Sequence, residues 1–386
     1  MTGLMKPIRR VVAGNDAQGR STVLLDGIAP NEHESSLPGR GHTDFWVWDT
    51  TPAKIDVTSD DGNMPYVFPA PIDGGHFRVI QAVPKPANYD PENDSEAIPS
   101  HEIKARPSGR AWDRGGNNAF TSAMHKTESV DYGIVLEGER VMKLDDGELM
   151  LNQGDIVIQV GAWHQWEHPN VRCLMAFDMI PAKFVDGPTG LAQGNDTVML
   201  ADPAKVLPSG VKPARRVVTI DRVPGKSSLV SDGPSPDVRF DPARPGFSSS
   251  RLWVTDSQPA KIVIETLHLP HTIEPPPRGS VCRVLNIPPD AGWKGKVGEK
   301  EVRSYFAEMG SPQASTYSAT APHPYMQKTK TLDCCCILNG EIVLVLDTQE
   351  VALKAGDVVI LRGTNHAWSN RSGKPAIVSV ASHDAK

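Results

Sequence analysis

The feature that most constrains this chain is an internal duplication with a period of about 200 residues. The segment 124–139, MHKTESVDYGIVLEGE, aligns without gaps to 326–341, MQKTKTLDCCCILNGE. The segment 154–166, GDIVIQVGAWHQW, aligns in the same way to 356–368, GDVVILRGTNHAW. Two matched segments in the same order in each half indicate that the chain contains two copies of one folding unit.

Shorter matches extend the duplication to the start of each half. IRRVV at 8–12 corresponds to ARRVV at 214–218, and further matched pairs follow in the same order. The segment 187–213 is rich in Gly, Pro and Ala and has no clear periodicity, which is typical of a linker. We therefore predict an N-terminal domain over 1–186 and a C-terminal domain over 214–386, with 187–213 between them.

Composition favours strands joined by turns. The 386 residues include 34 Pro and 33 Gly, and short apolar runs alternate with turn signals such as Asp145-Asp146-Gly147. This spacing predicts an all-β fold, either a sandwich or a jelly-roll barrel, with few helices. The net charge of −6 gives no reason to expect nucleic acid or a membrane surface as a partner. We expect a cytoplasmic protein for three reasons. The five cysteines are an odd number, no apolar run is long enough to span a bilayer, and the start shows no signal segment.

Polar residues recur at every second position in the first duplicated segment. Because alternate residues of a strand point to the same side, one face carries His125, Thr127, Ser129 and Asp131. In the segment 154–166, His164 and Trp166 share a face for the same reason. An imidazole beside a carboxylate in an apolar setting can transfer protons near neutral pH.

These segments resemble the two motifs of the cupin family. The first family motif is G-x5-H-x-H-x3,4-E-x6-G, and here His125, Asp131 and Gly138 fit its spacing, with Asp131 in place of Glu and Thr127 in place of the second His. The second family motif is G-x5-P-x-G-x2-H-x3-N, which is represented by Gly154, Gly161 and His164, with His168 in place of the final Asn. The second copy departs further, and its corresponding site positions are Gln327, Asp333 and His366.

The resemblance implies two tandem jelly-roll barrels in a pseudo-two-fold arrangement, with the motif residues facing the barrel interior. Typical metal-binding cupins supply three His and one Glu. The resemblance therefore makes His125, His164 and Asp131 candidate ligands of iron, manganese or zinc, a set that matches a two-His, one-carboxylate site. The same three residues could instead act without metal, and the cofactor stays open between a divalent ion in the first barrel and none. The second barrel retains fewer candidate ligands, so we expect it to be degenerate.

We expect an enzyme that acts on a small oxygenated organic molecule in the first barrel. Its candidate catalytic residues are His125, Asp131 and His164, and its candidate substrate-binding residues are Thr127, Ser129, Trp166 and Arg78. Lyase, isomerase or cyclase chemistry is favoured because the ligand set is incomplete. A metal-dependent dioxygenase and a non-catalytic binding barrel are the alternatives. The expected partner is a small-molecule substrate, without nucleic acid or membrane, and a homodimer is one possible assembly.

Overall fold

A computed structural model of the chain describes residues 5–56, 59–167, 171–194 and 197–386. Strands dominate both halves, as the turn-rich composition predicts. The strands of the first half are β1 (Arg9–Asn15), β2 (Ser21–Ile28), β3 (Asn31–Glu34), β4 (Gly41–Trp48), β5 (Gly75–Ala82), β6 (Lys104–Ala105), β7 (Ala111–Asp113), β8 (His125–Thr127), β9 (Ser129–Glu137), β10 (Glu139–Leu144), β11 (Gly147–Asn152), β12 (Ile156–Val160), β13 (Gln165–Glu167) and β14 (Cys173–Lys183).

The second half adds twelve strands and one α-helix. The strands are β15 (Arg215–Val223), β16 (Lys226–Pro234), β17 (Asp237–Phe240), β18 (Ser248–Thr255), β19 (Ala260–Lys261), β20 (Ser280–Ile287), β21 (Thr331–Asn339), β22 (Glu341–Leu346), β23 (Glu350–Lys354), β24 (Val358–Arg362), β25 (His366–Ser369) and β26 (Ala376–Asp384), and the helix is α1 (Glu299–Glu308). Short 3-10 turns occupy Pro91–Asn93, Gly187–Thr189, Asp290–Gly292, Lys294–Lys296 and Pro312–Ala314.

Two large sheets have the same strand order when the halves are matched. One runs β16-β15-β12-β9-β14-β5-β4-β3, and the other runs β2-β1-β24-β21-β26-β20-β18-β17. A three-stranded sheet, β11-β10-β13 or its counterpart β23-β22-β25, belongs to each half. Leu151 and Trp166 of the small sheet share an apolar cluster with Val157 and Phe177 of the large sheet, so the two sheets enclose one interior. The predicted all-β, two-barrel jelly-roll fold is confirmed.

The first hairpin of each half pairs with the sheet of the other half. Strand β1 runs parallel to β24, and β15 runs parallel to β12. The predicted ranges 1–186 and 214–386 therefore differ from the barrels, because each barrel contains the hairpin of the opposite range. The physical reason is that β12 and β24 would otherwise be sheet edges with unpaired backbone groups, which the exchanged strands cover.

Matching ion pairs hold the two exchanged hairpins. Arg9 bonds Asp26 within its hairpin and reaches Asp357 of the other half, with Nη1 3.2 Å from Oδ2. Arg215 repeats the arrangement in the second half, where its Nη1 lies 2.5 Å from Oδ2 of Asp155. The duplication thus extends to the contacts that connect the two barrels.

The apolar core of the molecule lies in three places. The largest cluster contains Phe45, Trp46, Ile158, Trp253 and Ile360, and it joins the outward faces of the two large sheets. The other two main clusters fill the barrel interiors, and the one in the second barrel includes residues of α1. Among the residues that the structure describes, no helix is both long and apolar enough to cross a membrane.

Candidate functional site

The first barrel encloses a cavity of about 210 Å³ between its large and small sheets. Its wall combines an apolar side, formed by Trp166, Phe177 and Met179, with a group of polar side chains. The polar side chains are His42, His76, Arg78, His125, Thr127, Asp131, Arg140, Gln159 and His164, with Arg40 and Gln81 also at the wall. The cavity therefore offers an aromatic surface beside several groups that can bind oxygen atoms.

Two motif glycines shape the turns that bring these strands together. Gly138, between β9 and β10, has a φ of +74°, and Gly161, after β12, has a φ of +55°. Residues other than glycine rarely adopt such φ values. A Cβ atom at Gly138 would also lie 2.2 Å from the carbonyl oxygen of Arg172. Glycine at these positions lets the chain turn sharply enough to bring β9, β10 and β12 to the same cavity.

His125 and His164 face each other across a β-bridge. The backbone N–H of each residue donates to the carbonyl oxygen of the other, at 2.8 and 2.9 Å, and their ring centroids are 4.2 Å apart. Nδ1 of His125 lies 2.8 Å from the carbonyl oxygen of Ala123, and Nδ1 of His164 lies 2.9 Å from that of Ala162. A carbonyl only accepts, so each Nδ1 carries the proton and each Nε2 has a free lone pair.

Both imidazoles are neutral at physiological pH. Burial lowers the pKa of His164 to about 4. Burial, followed by the neighbouring ring of His164, holds the pKa of His125 well below its usual value. Neutral rings with a free Nε2 suit two tasks, which are to ligate a metal and to accept a hydrogen bond from a substrate hydroxyl.

Asp131 is a cavity-wall residue whose carboxyl group is matched to neutral pH. It lies on β9, is 4% exposed, and has one oxygen, Oδ1, without a hydrogen-bond partner. Burial raises its pKa from 3.8 to about 7, because the apolar barrel disfavours the charged carboxylate. At neutral pH the group therefore exchanges readily between its protonated and ionised forms, as a general acid–base catalyst requires.

Gln159 is directly opposite Asp131 in the strand pairing. Its side chain is 1% exposed, and both its amide oxygen and its amide nitrogen are buried without a partner. Sequence reasoning missed this residue, although a signal existed. It is the only polar residue in the strand IVIQV, and the second copy has Leu361 at the equivalent position.

Arg140 and His76 are two further polar wall residues that the sequence analysis did not select. Arg140 is 6% exposed, and its Nε and Nη1 atoms have no hydrogen-bond partner. His76 is fully buried, and neither of its ring nitrogens has a partner. Burial is the main cause that holds the pKa of His76 well below its ordinary value, so the ring is neutral. These residues reach the cavity from β10 and β5, and only the fold reveals that they face the same space.

The other residues selected from the sequence take different positions. Thr127 and Trp166 line the cavity, and the Trp166 ring meets the His164 ring edge-on at 5.6 Å between centroids. Arg78 also reaches the wall, but its Nε donates to Oδ1 of Asp44 at 2.7 Å in a buried salt bridge. Ser129 is buried without lining the cavity. His168 lies outside the described residues.

The predicted metal ligands can be tested against the positions of their donor atoms. Two sets of three donors come within 4.8 Å of one another in the described part of the chain, and these are His33, His42 and Asp44, and Asp178, Cys334 and His383. The predicted set of His125, His164 and Asp131 is not among them. Thr127 cannot replace an imidazole, and the side chain of Asp131 is one methylene shorter than that of the family's Glu. As placed, the three predicted ligands do not converge on one ion.

The two sets that do converge are already engaged. Asp44 is bonded to the guanidinium of Arg78, whose positive charge opposes the binding of a cation. Oδ2 of Asp178 lies 2.8 Å from Nε2 of His383, and this pair is buried between the two barrels. His42 of the first set lines the cavity of His125, His164 and Asp131, but His33 and Asp44 do not, and no residue of the second set is on that wall.

Comparisons with known proteins find cupin-domain-containing proteins among the relatives of this chain. No family model matches the chain. A cupin-domain-containing oxidoreductase of Hypocrea virens, virC, is 48% identical over 48 residues, which are 12% of this chain and 25% of that protein. Another of Aspergillus ruber, fogC, is 24% identical over 167 residues, which are 43% of this chain and 66% of that protein. The chain belongs to the cupin superfamily.

A further relative of this cupin comes from a biosynthetic gene cluster. Phomopsin biosynthesis cluster protein C' of Diaporthe leptostromiformis is 32% identical over 115 residues, or 28% of this chain. The match spans 61% of the length of that relative.

The second cupin barrel has far less internal space. Its cavity measures about 40 Å³. The guanidinium of Arg244 lies 3.6 Å from the ring centre of Tyr325 and 3.8 Å from that of Phe247, and it bonds Asp241 at 2.7 Å. Helix α1 adds the buried side chain of Tyr305 to the same space. The second cupin interior is therefore filled by the protein's own side chains.

The motif residues of the second barrel are also paired with one another. His366 and Gln327 form the bridge that corresponds to His164 and His125. Nδ1 of His366 lies 3.0 Å from the carbonyl oxygen of Thr364, so Nε2 accepts from the side-chain amide of Gln327 at 3.2 Å. Asp333 lies opposite Leu361, whereas its counterpart Asp131 lies opposite Gln159. The second cupin site thus lacks the space of the first, and Nε2 of its histidine is already bonded, although Oδ1 of Asp333 has no hydrogen-bond partner there either.

Proposed function

We propose that this cupin is an enzyme that acts on a small oxygenated organic molecule inside the first barrel, by acid–base chemistry of the lyase, isomerase or cyclase class. The observation that carries the proposal is Asp131, a buried carboxyl group with a pKa raised to about 7 and a free oxygen, on the wall of a cavity. A general acid–base catalyst works best when its pKa lies near the working pH.

In its ionised form, Asp131 removes a proton from a carbon next to a carbonyl group of the substrate. The carbonyl oxygen then gains negative charge, and the amide N–H of Gln159 is a buried donor that can stabilise it. Protonated Asp131 returns the proton to a different carbon in an isomerisation, or to a departing hydroxyl in a dehydration. The electron pair of the broken C–H bond forms the new double bond, so neither reaction needs an oxidant.

The two imidazoles orient the substrate in this scheme. Because the Nδ1–H group of each ring donates a hydrogen bond to a backbone carbonyl, the Nε2 atoms of His125 and His164 are free to accept hydrogen bonds from substrate hydroxyl groups. Trp166 packs beside His164 and gives the apolar part of the substrate a flat surface. The low pKa of His164, about 4, makes it a weaker base than Asp131, which supports the assignment of proton transfer to the carboxyl group.

A metal-dependent oxidoreductase is the second candidate function. Two observations favour it, namely the two imidazoles with free Nε2 atoms and the names of the relatives, several of which are cupin-domain-containing oxidoreductases. This candidate needs a third ligand, because Asp131 does not converge with the two rings. A barrel that binds a small molecule without transforming it would use the same cavity, and the test below separates it from both enzymes.

The test is exchange of carbon-bound hydrogen with deuterium. Small 2-oxo and 3-hydroxy compounds are incubated with the protein in D₂O, and exchange is followed by NMR. We expect exchange with at least one compound, and we expect Asp131→Asn to reduce its rate by about 10²–10⁴. Asp333→Asn, at the equivalent position of the filled barrel, is the matched control and should retain the wild-type rate. Equal exchange by wild type and Asp131→Asn would reject the proposal, and binding without exchange by wild type would favour the non-catalytic alternative.

A further inference from the structure

The cavity of the first barrel contains an arginine that has no carboxylate partner within the described part of the chain. Arg140 projects from β10 into the wall, and its guanidinium carbon lies 5.7 Å from the ring centre of Trp166. Burial lowers its pKa to about 10, which still leaves it positively charged at neutral pH. In the ranges that the structure covers, Arg140 forms no salt bridge, and its Nε and Nη1 atoms are buried without acceptors.

Most other buried cations of this protein are paired with a carboxylate. The pairs are Arg10 with Asp60, Arg78 with Asp44, Lys126 with Asp221, Arg216 with Glu265, Arg244 with Asp241 and Arg251 with Asp237. Removing a charged group from water costs free energy that a buried counter-charge offsets. A buried arginine in a cavity wall without such a partner is therefore suited to an anion that enters from outside.

The charges of the cavity wall agree with this interpretation. Arg40 also reaches the wall, and it is close enough to lower the pKa of Arg140 further. Asp131 is the wall's one carboxyl group within the described residues, and Arg40 and Arg140 outnumber it. The cavity is consequently cationic on balance.

The duplication provides an internal comparison. Arg140 corresponds to Ile342 in the ungapped alignment of the two copies. Ile342 belongs to the filled barrel, whose cavity measures about 40 Å³ compared with about 210 Å³ in the first barrel. The buried guanidinium thus occurs at this position in the barrel that has room for a ligand, and an aliphatic residue replaces it where that room is absent.

We propose that the first-barrel cavity binds a small organic carboxylate, and that the planar fork of Arg140 pairs with the carboxylate group. An arginine fork matches the geometry of a carboxylate and can bond it through two parallel N–H groups. The apolar body of the ligand then packs on Trp166, and its oxygen-bearing carbon faces the part of the wall with Asp131 and the two imidazoles. A cavity of about 210 Å³ lies below the range of about 300–1,000 Å³ for drug-sized ligands, so the acid is small.

This inference rests on the proposed function for its site, and its test measures binding instead of turnover. The probes are benzoate, lactate and 2-oxobutanoate, each compared with its neutral primary amide by calorimetric titration of the full chain. We expect at least one carboxylate to bind while its amide does not. Arg140→Gln should weaken that binding about 10- to 100-fold, which is the loss of one charge-assisted pair.

Two further variants guard against misinterpretation. Arg283→Gln removes another buried arginine without a carboxylate bond, this time from the second barrel, and it should leave binding unchanged. Arg140→Met keeps an unbranched, flexible side chain, although a shorter one, and removes its charge, and it should fold at least as stably as wild type without ligand, because no counter-charge is left behind. Three results would overturn the inference. The acids and their amides could bind equally well, all three acids could fail to bind, or the carboxylate affinity could be unchanged in Arg140→Gln and Arg140→Met. If a carboxylate binds through Arg140 but no deuterium exchange depends on Asp131, the inference is upheld and the proposed acid–base chemistry is rejected.

Discussion

Replacement of Asp131 by Asn should stabilise the protein at high pH and not at low pH. Burial raises the pKa of Asp131 from 3.8 to about 7 in the folded protein, whereas the unfolded chain retains the ordinary value. Between about pH 4 and pH 7 the folded state therefore binds more protons than the unfolded state, and the free energy of unfolding falls as the pH rises through this window.

The size of the effect follows from the two pKa values. Each tenfold change in an acid dissociation constant is worth about 1.4 kcal/mol, so the difference between 3.8 and about 7 corresponds to about 4 kcal/mol above neutral pH. Asn has nearly the same shape as Asp and carries no charge at any pH. We therefore expect the stability difference between Asp131→Asn and wild type to grow by about 4 kcal/mol between pH 4 and pH 8.

Urea denaturation at a series of pH values measures this difference, because other titrating groups contribute equally to both proteins and cancel. Val135→Ala is the matched control, since it changes a buried uncharged side chain on the same strand that does not hydrogen-bond Asp131, and it should give a difference from wild type that does not vary with pH. If the difference between Asp131→Asn and wild type were the same at pH 4 and pH 8, the carboxyl group would not have the raised pKa that the proposed chemistry requires.

Two further predictions concern the duplication. When the segments 1–186 and 214–386 are produced separately, neither should fold, because each barrel takes its first hairpin from the other segment. Circular dichroism should show β structure only after the two segments are mixed. A cooperative thermal transition in either segment alone would contradict the exchange. His164→Ala should abolish turnover, whereas His366→Ala should cost about 1–3 kcal/mol in urea denaturation with turnover intact, because Nε2 of His366 is already bonded to Gln327. Equal loss of turnover in the two folded variants would show that both barrels take part.

The sequence was sufficient to predict the fold because the duplication and the turn signals are local patterns. The resemblance to the cupin motifs implied that His164 faces His125 inside the barrel, and in the structure these two residues form a β-bridge, as do Gln327 and His366. The hairpin exchange could not be predicted, since IRRVV and ARRVV are nearly identical and contain no information about which sheet each strand joins. Strand pairing between distant segments depends on which edge is left open in the folded molecule.

The candidate site was only partly visible in the sequence. Strand alternation placed Asp131 and Thr127 on the cavity face, but it also placed Ser129 there, and the structure does not. Ser129 and Asp131 lie on the same side of β9, but Ser129 is the first residue of the strand and does not reach the cavity wall. Arg140, His76 and Gln159 come from three other strands, and their convergence depends on the packing of the sheets. The raised pKa of Asp131 is likewise a consequence of burial, which sequence spacing does not measure.

The central claim is that the first barrel performs acid–base chemistry with its own side chains. The most direct test measures turnover of the wild-type protein in the deuterium-exchange assay before and after exhaustive treatment with a strong chelator. Elemental analysis of the same samples gives the metal content. We expect full activity after chelation, in protein that contains less than one metal ion per chain. Activity that is lost to the chelator and restored by one particular divalent ion would contradict it.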